Sequence, residues 1–114
     1  MLYIGGIMRP EGLTAIGLPN KKKHAHNTTP VTEEQVRICK EWIQKFCKER
    51  KTINTRISSY RLKHEVEEWS KKHIENGAFI AAAIDSGYHY KQDGDSPNAV
   101  FNLTIINISA DKNN

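Results

Sequence analysis

The spacing of apolar residues changes at Gly87, and this change limits the fold more than any other feature of the 114-residue sequence. Upstream of Gly87, apolar residues recur every three or four positions, which places them on one face of an α-helix. Downstream, Phe101, Leu103 and Ile105 occupy alternate positions, as in a strand that buries one face. Helical and strand patterns in separate segments predict an α+β domain, and the chain is too short for two ordinary domains.

The first predicted helix runs from about residue 33 to residue 51. Thr32 and Gln35 fit a capping box, in which the Thr32 hydroxyl accepts from the Gln35 backbone and the Gln35 side chain reaches back. Lys48, Arg50 and Lys51 suit the negative end of the helix dipole. One apolar stripe follows helical spacing: Val36, Cys39, Ile43, Phe46 and Cys47.

Two further helices are predicted before the period changes. A polar connector over residues 52–57, or a brief strand there, leads to a second helix over residues 58–72. Asn76 is the expected N-cap of a third helix over residues 78–86, and Gly87 is its expected left-handed stop. A hairpin follows, with strands predicted over residues 88–91 and 99–108.

This order of elements resembles the winged helix-turn-helix superfamily. The resemblance lies in Leu62–Trp69, in the turn and helix over Ile74–Ile84, and in Ser86-Gly87-Tyr88 at the exit to the hairpin. It implies a small winged helix-turn-helix with three helices followed by a β-hairpin wing, of the kind found in phage and plasmid proteins. It also implies DNA binding, with the third helix in the major groove.

The residues that would face DNA depart from the usual chemistry of this superfamily. Carried over by position, they are Glu75, Asn76, Gly77, Ala78, Ala81, Ala82 and Asp85. Only Asn76 has a side chain of the type that pairs with base edges. The wing tip has Asp93 and Asp95 against a single Lys91. We therefore expect phosphate contacts to dominate over contacts to bases.

Positive charge is concentrated in the middle of the chain. Residues 20–72 contain 14 Lys and Arg against seven Glu, whereas residues 73–114 contain two Lys against five Asp and Glu. This distribution favours an anionic partner, the alternative being a solvated Lys-rich surface. Asn76 and nine cations are the predicted nucleic-acid contacts, the cations being Lys21, Lys22, Lys23, Arg56, Arg61, Lys63, Lys71, Lys72 and Lys91. Three tyrosines are either stacking platforms for unpaired bases or half-buried structural residues: Tyr60, Tyr88 and Tyr90.

Composition also divides the chain into regions. Glycines and prolines without periodicity predict a flexible basic N-terminal arm over residues 1–30, then a winged helix-turn-helix domain over 31–108 and a polar tail over 109–114. Residues 1–8 lack the features of a secretory signal, and no apolar run reaches the ~18 residues that span a bilayer. We therefore expect a cytoplasmic protein without a membrane partner.

No pattern indicates an enzyme, a cofactor or a metal site. His24 and His26 have a spacing that suits a metal, but no Cys or carboxylate cluster completes a site. Turn chemistry accounts for Asp93-Gly94-Asp95. Cys39 and Cys47 lie too far apart on one helix to pair, which predicts reduced thiols.

The favoured function is that of a DNA-binding accessory or regulatory protein, for example in transcription regulation, of a bacterium or a phage or mobile element. Duplex DNA is the expected partner, bound through the basic connector and second helix. The alternative is a protein-interaction module that regulates or inhibits a host protein or forms a homodimer. In that alternative Ala78, Ala81 and Ala82 face outward and pack on the partner, and Trp42, if the first helix leaves it exposed, anchors the interface.

Overall fold

The computed structural model describes residues 8–20 and 29–106. The elements in chain order are α1 (Glu33–Phe46), β1 (Cys47–Ser58), α2 (Ser59–Ser70), α3 (Asn76–Asp85), β2 (Tyr90–Gln92) and β3 (Ala99–Ile105). The predicted α+β class is confirmed, with three helices and a three-stranded antiparallel sheet. The Lys21–Lys23 cluster, His24, His26 and the polar tail lie outside the described residues.

Strand β3 is the centre of the sheet, whose order is β1-β3-β2. The β2–β3 hairpin forms as predicted around residues 93–98, with the Asp93 backbone N–H donating to the Asn98 carbonyl at 2.9 Å. Strand β1 lies on the opposite side of β3, so that both β1 and β2 are outer strands. The sheet thereby joins the segment between α1 and α2 to the hairpin that follows α3.

The prediction that the first helix continues to residue 51 is wrong. Helix α1 ends at Phe46, and Cys47 is already extended, with φ −121° and ψ 155°. From there the chain enters β1, where Cys47 pairs with Ile105 and Lys48 with Thr104. Pairing with a strand more than 50 residues away overrides the good helix propensity of residues 48–51.

The start of α1 lies where it was predicted, but the capping box does not form. Thr32 is the N-cap and makes no side-chain capping bond. Its hydroxyl instead donates to Glu75 Oε1 at 3.2 Å, and Gln35 Oε1 accepts from the Glu75 backbone N–H at 2.7 Å. Both side chains therefore tie α1 to the turn between α2 and α3, because tertiary partners compete successfully with the local ones.

The predicted stop at Gly87 is confirmed. Gly87 has φ +97°, its N–H donates to the Ile84 carbonyl at 2.9 Å, and the Tyr88 N–H donates to the Ala83 carbonyl at 3.1 Å. This pair of bonds is a Schellman motif, which terminates a helix with a left-handed glycine. At the other end of α3 the prediction was one residue off, since the N-cap is Glu75 and Asn76 is the first helical residue.

Aromatic side chains join the helices to the sheet in the core. The Trp42 ring packs against Phe79 at 6.1 Å between centroids, and Phe79 packs against Phe101 at 5.9 Å. Cys39 and Cys47 are free and buried, and burial raises the pKa of each thiol to about 12, so both stay protonated at neutral pH. Within the described residues, none of the helices has the length and apolar character needed to cross a membrane.

Candidate nucleic-acid interface

Helix α3, the expected recognition helix, is a core helix. Residues 76–84 are all buried, and Ala78, Ala81 and Ala82 have no exposed surface. The expectation that these alanines face outward is therefore wrong, and so is the expectation of an exposed Trp42, which is fully buried. Both features of the protein-interaction alternative are consequently absent from the surface.

Residues 8–20, here called the N-terminal segment, help to cover α3. The Gly77 backbone N–H donates to the Ala15 carbonyl at 2.9 Å. A Cβ atom on Gly77 would collide with the Thr14 carbonyl oxygen, so the approach of the two backbones requires glycine here. Ala15 and Leu18 of the segment are buried. The prediction of a flexible arm does not describe these residues, because their backbone is hydrogen-bonded to the helix they cover.

An arginine fastens the start of the N-terminal segment. Arg9 donates to both carboxylate oxygens of Asp85 at 3.0 and 2.7 Å, and to both of Glu33 at 2.7 and 3.0 Å. Lys40 also lies 3.1 Å from Asp85. Burial alone raises the pKa of Asp85, but the hydrogen bonds from Arg9 and Lys40 outweigh it and lower that pKa. Asp85 therefore stays ionised, and Arg9 and Lys40 balance its charge within the fold.

Asn76, the one predicted base contact, is a structural residue. Its side chain is buried, and its Nδ2 donates to the carbonyls of Ile16 at 2.8 Å and Pro97 at 3.3 Å, and to Asn98 Oδ1 at 3.1 Å. It therefore links the N-terminal segment to the β2–β3 turn. With its amide protons used in this way, Asn76 does not face a DNA groove.

Four exposed cations lie on β1, at the edge of the sheet. They are Lys48, Arg50, Lys51 and Arg56. Within the described part of the chain no carboxylate lies at ion-pair distance from any of the four, and Arg50 Nη2 donates only to Thr52 Oγ1 at 3.1 Å. We call these four residues the β1 cation row.

Three members of the β1 cation row were missed as candidate contacts, because Lys48, Arg50 and Lys51 were assigned to the end of a helix. The β-branched residues Thr52, Ile53 and Thr55 were the sequence signal for a strand. The strand alternative named for residues 52–57 was the correct one, although β1 begins five residues earlier.

Strand β1 departs from a regular ladder in its middle. Glu49 pairs with Leu103 and Asn54 with Phe101, so that β1 has three more residues than β3 over the same interval. The buried Asn54 closes this bulge, since its Nδ2 donates to the Leu103 carbonyl at 3.2 Å. Arg50 and Lys51 therefore stand in the part of β1 that is released from pairing.

The predicted cations of α2 differ in availability. Arg61 has a side chain 65% exposed and lies 4.0 Å from Glu65, whereas Lys63 is only 13% exposed. Lys63 lies 3.5 Å from Glu67 and 5.4 Å from the centre of the Tyr60 ring. Lys71 and Lys72 are exposed at the far end of α2, where Lys71 caps the helix with φ +61°.

Glu67 gathers several donors beside Lys63. It accepts from the Ile74 backbone N–H at 2.9 Å and lies 2.9 Å from His64 Nδ1 and 3.4 Å from His73 Nδ1. Burial opposes ionisation of Glu67, but the Ile74 N–H and Lys63 outweigh it and lower the pKa. This carboxylate holds α2 against the turn that leads to α3.

The predicted contacts do not form a single patch. Lys91 lies on β2, at the other edge of the sheet from the β1 cation row, and Asn76 is buried between the N-terminal segment and the turn. Arg56 and Arg61 lie on adjoining elements, because β1 runs directly into α2. Among the described residues, no three His, Cys, Asp or Glu side chains converge as metal ligands would.

Comparisons with protein families, with curated proteins and with solved structures found no match to this chain.

Proposed function

We propose that this chain is a DNA-binding accessory or regulatory protein that contacts phosphates through the β1 cation row and the start of α2. The observation that carries the proposal is the β1 cation row itself: four exposed cations on one strand, without carboxylate partners among the described residues. Desolvating a charge is unfavourable unless it is paired, so unpaired surface cations are the ones free to bind an anion.

The order of elements also supports the proposal. A helix, a strand, two helices and a hairpin, with strand order β1-β3-β2, suit a small winged helix-turn-helix domain. Under this proposal, however, α3 does not enter the major groove, because the N-terminal segment covers it. The expected interaction is therefore with the DNA backbone rather than with base edges.

Contacts of this kind have a measurable signature. Each phosphate that a Lys or Arg neutralises releases counterions, and the logarithm of the affinity falls with the logarithm of the salt concentration by about 0.9 per contact on duplex DNA. Four contacts predict a slope of about −3 to −4. Arg61 adds a further contact if its side chain and that of Arg56 bind the same DNA backbone.

The test is a fluorescence-anisotropy titration of random-sequence duplex DNA at several salt concentrations, using the full chain. Lys51→Gln/Arg56→Gln is the test variant, and Arg37→Gln/Lys91→Gln is the matched control, which removes the same charge from α1 and β2. We expect the test variant to bind more weakly, with a salt slope smaller by about 2, and the control to bind nearly as the parent does.

Two results contradict the proposal. If the parent does not bind duplex DNA at low salt, the function is wrong. If both variants lose affinity equally, net charge rather than the β1 cation row carries the binding. Both variants should stay close to the parent's melting temperature, because Lys51 and Arg56 are exposed without carboxylate partners in the described residues, and the ion pairs of Arg37 with Glu34 and Glu41 are exposed and contribute little to stability.

A further inference from the structure

A cleft of about 450 Å³ opens beside the start of α2. Its walls come from the N-terminal segment, the first turns of α2, the turn before α3 and the β2–β3 turn. The lining includes Ile16, Tyr60, Lys63, Asn76, Pro97 and Asn98. The volume lies in the range of about 300–1,000 Å³ that is typical of small-molecule sites. The cleft therefore has room for one planar heterocycle.

One wall of the cleft is an exposed aromatic ring. Tyr60 is 54% exposed, whereas the large aromatic residues Trp42, Phe79 and Phe101 are buried in the core. Lys63 Nζ lies 5.4 Å from the ring centre, and the His64 ring meets Tyr60 edge-on at 4.6 Å between centroids. Leaving a large aromatic ring in water is unfavourable, so an exposed tyrosine held in place by its neighbours suits a stacking surface.

The opposite side of the cleft offers the amide group of Asn98. Asn98 Oδ1 accepts from Asn76, and Asn98 Nδ2 has no hydrogen-bond partner within the described part of the chain. Asn76 lies beside it, but its side chain is buried and its Nδ2 already donates to three acceptors, so the amide offered to a ligand is that of Asn98. An amide presents both donor and acceptor types, which is the chemistry that pairs with the edge of a nucleobase.

One cation, Lys63, lines the cleft, and two more are neighbours of Tyr60 along the chain. Arg61 follows Tyr60 in α2 and has a side chain 65% exposed, and Arg56 precedes Tyr60 at the end of β1. Lys63 lines the cleft and lies beside the ring, so that a phosphate bound to it would hold a neighbouring base close to Tyr60. Charge and ring thus occupy neighbouring places, as they do in proteins that bind single-stranded nucleic acid.

We infer that the cleft takes one unpaired nucleobase of the bound DNA, stacked on Tyr60 with its edge toward Asn98. This inference rests on the proposed function and deepens it, because it makes single-stranded or locally unpaired DNA the preferred substrate. Duplex DNA contacts the β1 cation row alone, since a paired base is not available to enter the cleft.

The test compares a single strand and a duplex of equal length, for the parent, Tyr60→Leu and Tyr60→Phe. The phenylalanine variant keeps the ring, and the leucine variant keeps apolar bulk without it. We expect the parent to prefer the single strand and Tyr60→Leu to lose about tenfold in affinity for it, with duplex affinity unchanged. Tyr60→Phe should bind as the parent does, and circular dichroism should show that all three fold alike.

A second readout follows the base directly. A single strand that contains 2-aminopurine loses fluorescence when this base stacks on an aromatic ring. We expect loss of fluorescence with the parent and Tyr60→Phe, and none with Tyr60→Leu.

The possible failures are distinguishable. If the parent binds neither DNA, the proposed function fails and the inference fails with it. If the parent binds both DNAs, Lys51→Gln/Arg56→Gln weakens binding and Tyr60→Leu changes nothing, the function stands and the cleft is not a base site.

Discussion

The N-terminal segment and strand β1 both present arginine, but in different surroundings. Arg9 of the segment is held by two carboxylates, from the C-terminal end of α3 and the start of α1, and its side chain is 30% exposed. Arg56 of β1 is exposed and has no carboxylate partner in the described part of the chain. One arginine stabilises the fold, and the other remains available to an anionic partner. Position in the fold, rather than the number of cations, decides between these roles.

The same contrast extends to the backbone. Helix α3 and the N-terminal segment approach closely enough to exclude a Cβ atom at Gly77, whereas residues 50–53 of β1 leave the ladder. We therefore expect substitutions in the first region to change stability, and those in the second to change binding.

The largest effect is expected for Gly77→Ala. Alanine normally favours a helix over glycine, but here its methyl group collides with the Thr14 carbonyl oxygen. Overpacking against backbone should lower the free energy of unfolding by about 3 kcal/mol, measured by urea denaturation. Gly94→Ala is the matched control, since nothing lies within 4 Å of its Cβ position and only the φ of +60° opposes it. We expect that control to lose about 1 kcal/mol. Equal stability of Gly77→Ala and the parent would show that the N-terminal segment is not packed on α3.

A smaller decrease in the free energy of unfolding, about 2 kcal/mol, is expected for Asn76→Ala, because three acceptors lose their donor. Asn76→Asp separates this explanation from a helix-end effect. A carboxylate at the first position of a helix is normally favourable, but it has no proton to donate to the three acceptors. We expect thermal melting to show the aspartate variant at least as unstable as the alanine variant. A more stable aspartate variant would mean that the donor role is unimportant.

The smallest effect concerns Arg9→Gln, which should cost about 1 kcal/mol at neutral pH, since the ion pairs are partly exposed. Because Arg9 lowers the pKa of Asp85, the contribution is present above the unfolded-state pKa and is lost as the pH falls through the lower folded-state value. The difference between parent and variant should therefore shrink below about pH 4. Urea denaturation at pH 7 and pH 2.5 measures it. A difference that persists at pH 2.5 would contradict the role of Asp85.

Local signals in the sequence were sufficient for several elements. The start of α1 after Thr32, the stop of α3 at Gly87 and the hairpin after it all depend on residues within a few positions of each other. The burial of α3 also has a signal in the sequence, and the expectation of an exposed face on this helix disregards it. Seven of the eight residues from Gly77 to Ile84 are Ala, Ile or Phe, and a helix that is apolar on all sides is a buried one.

For the candidate site, the sequence indicated the cations of the middle region but not their grouping. Arg56 and Arg61 were predicted and lie on adjoining elements, whereas Asn76 and Lys91 were predicted and lie elsewhere. The capping box is absent for the same reason that the grouping of the cations was not predictable: both depend on contacts between residues distant along the chain. Thr32 and Gln35 have the right local spacing, and only the fold brings Glu75 close enough to compete for them.

The sequence by itself determined the α+β class, the helix stop at Gly87 and the concentration of cations between residues 20 and 72, because these follow from composition and short-range spacing. The tertiary structure alone decided that residues 47–51 form a strand, that α3 is covered, and that the β1 cation row lies at an open edge. Each of these depends on contacts between residues that are distant along the chain: Cys47 with Ile105, and Ala15 with Gly77. Such pairings outweigh local propensities of a few tenths of a kcal/mol per residue.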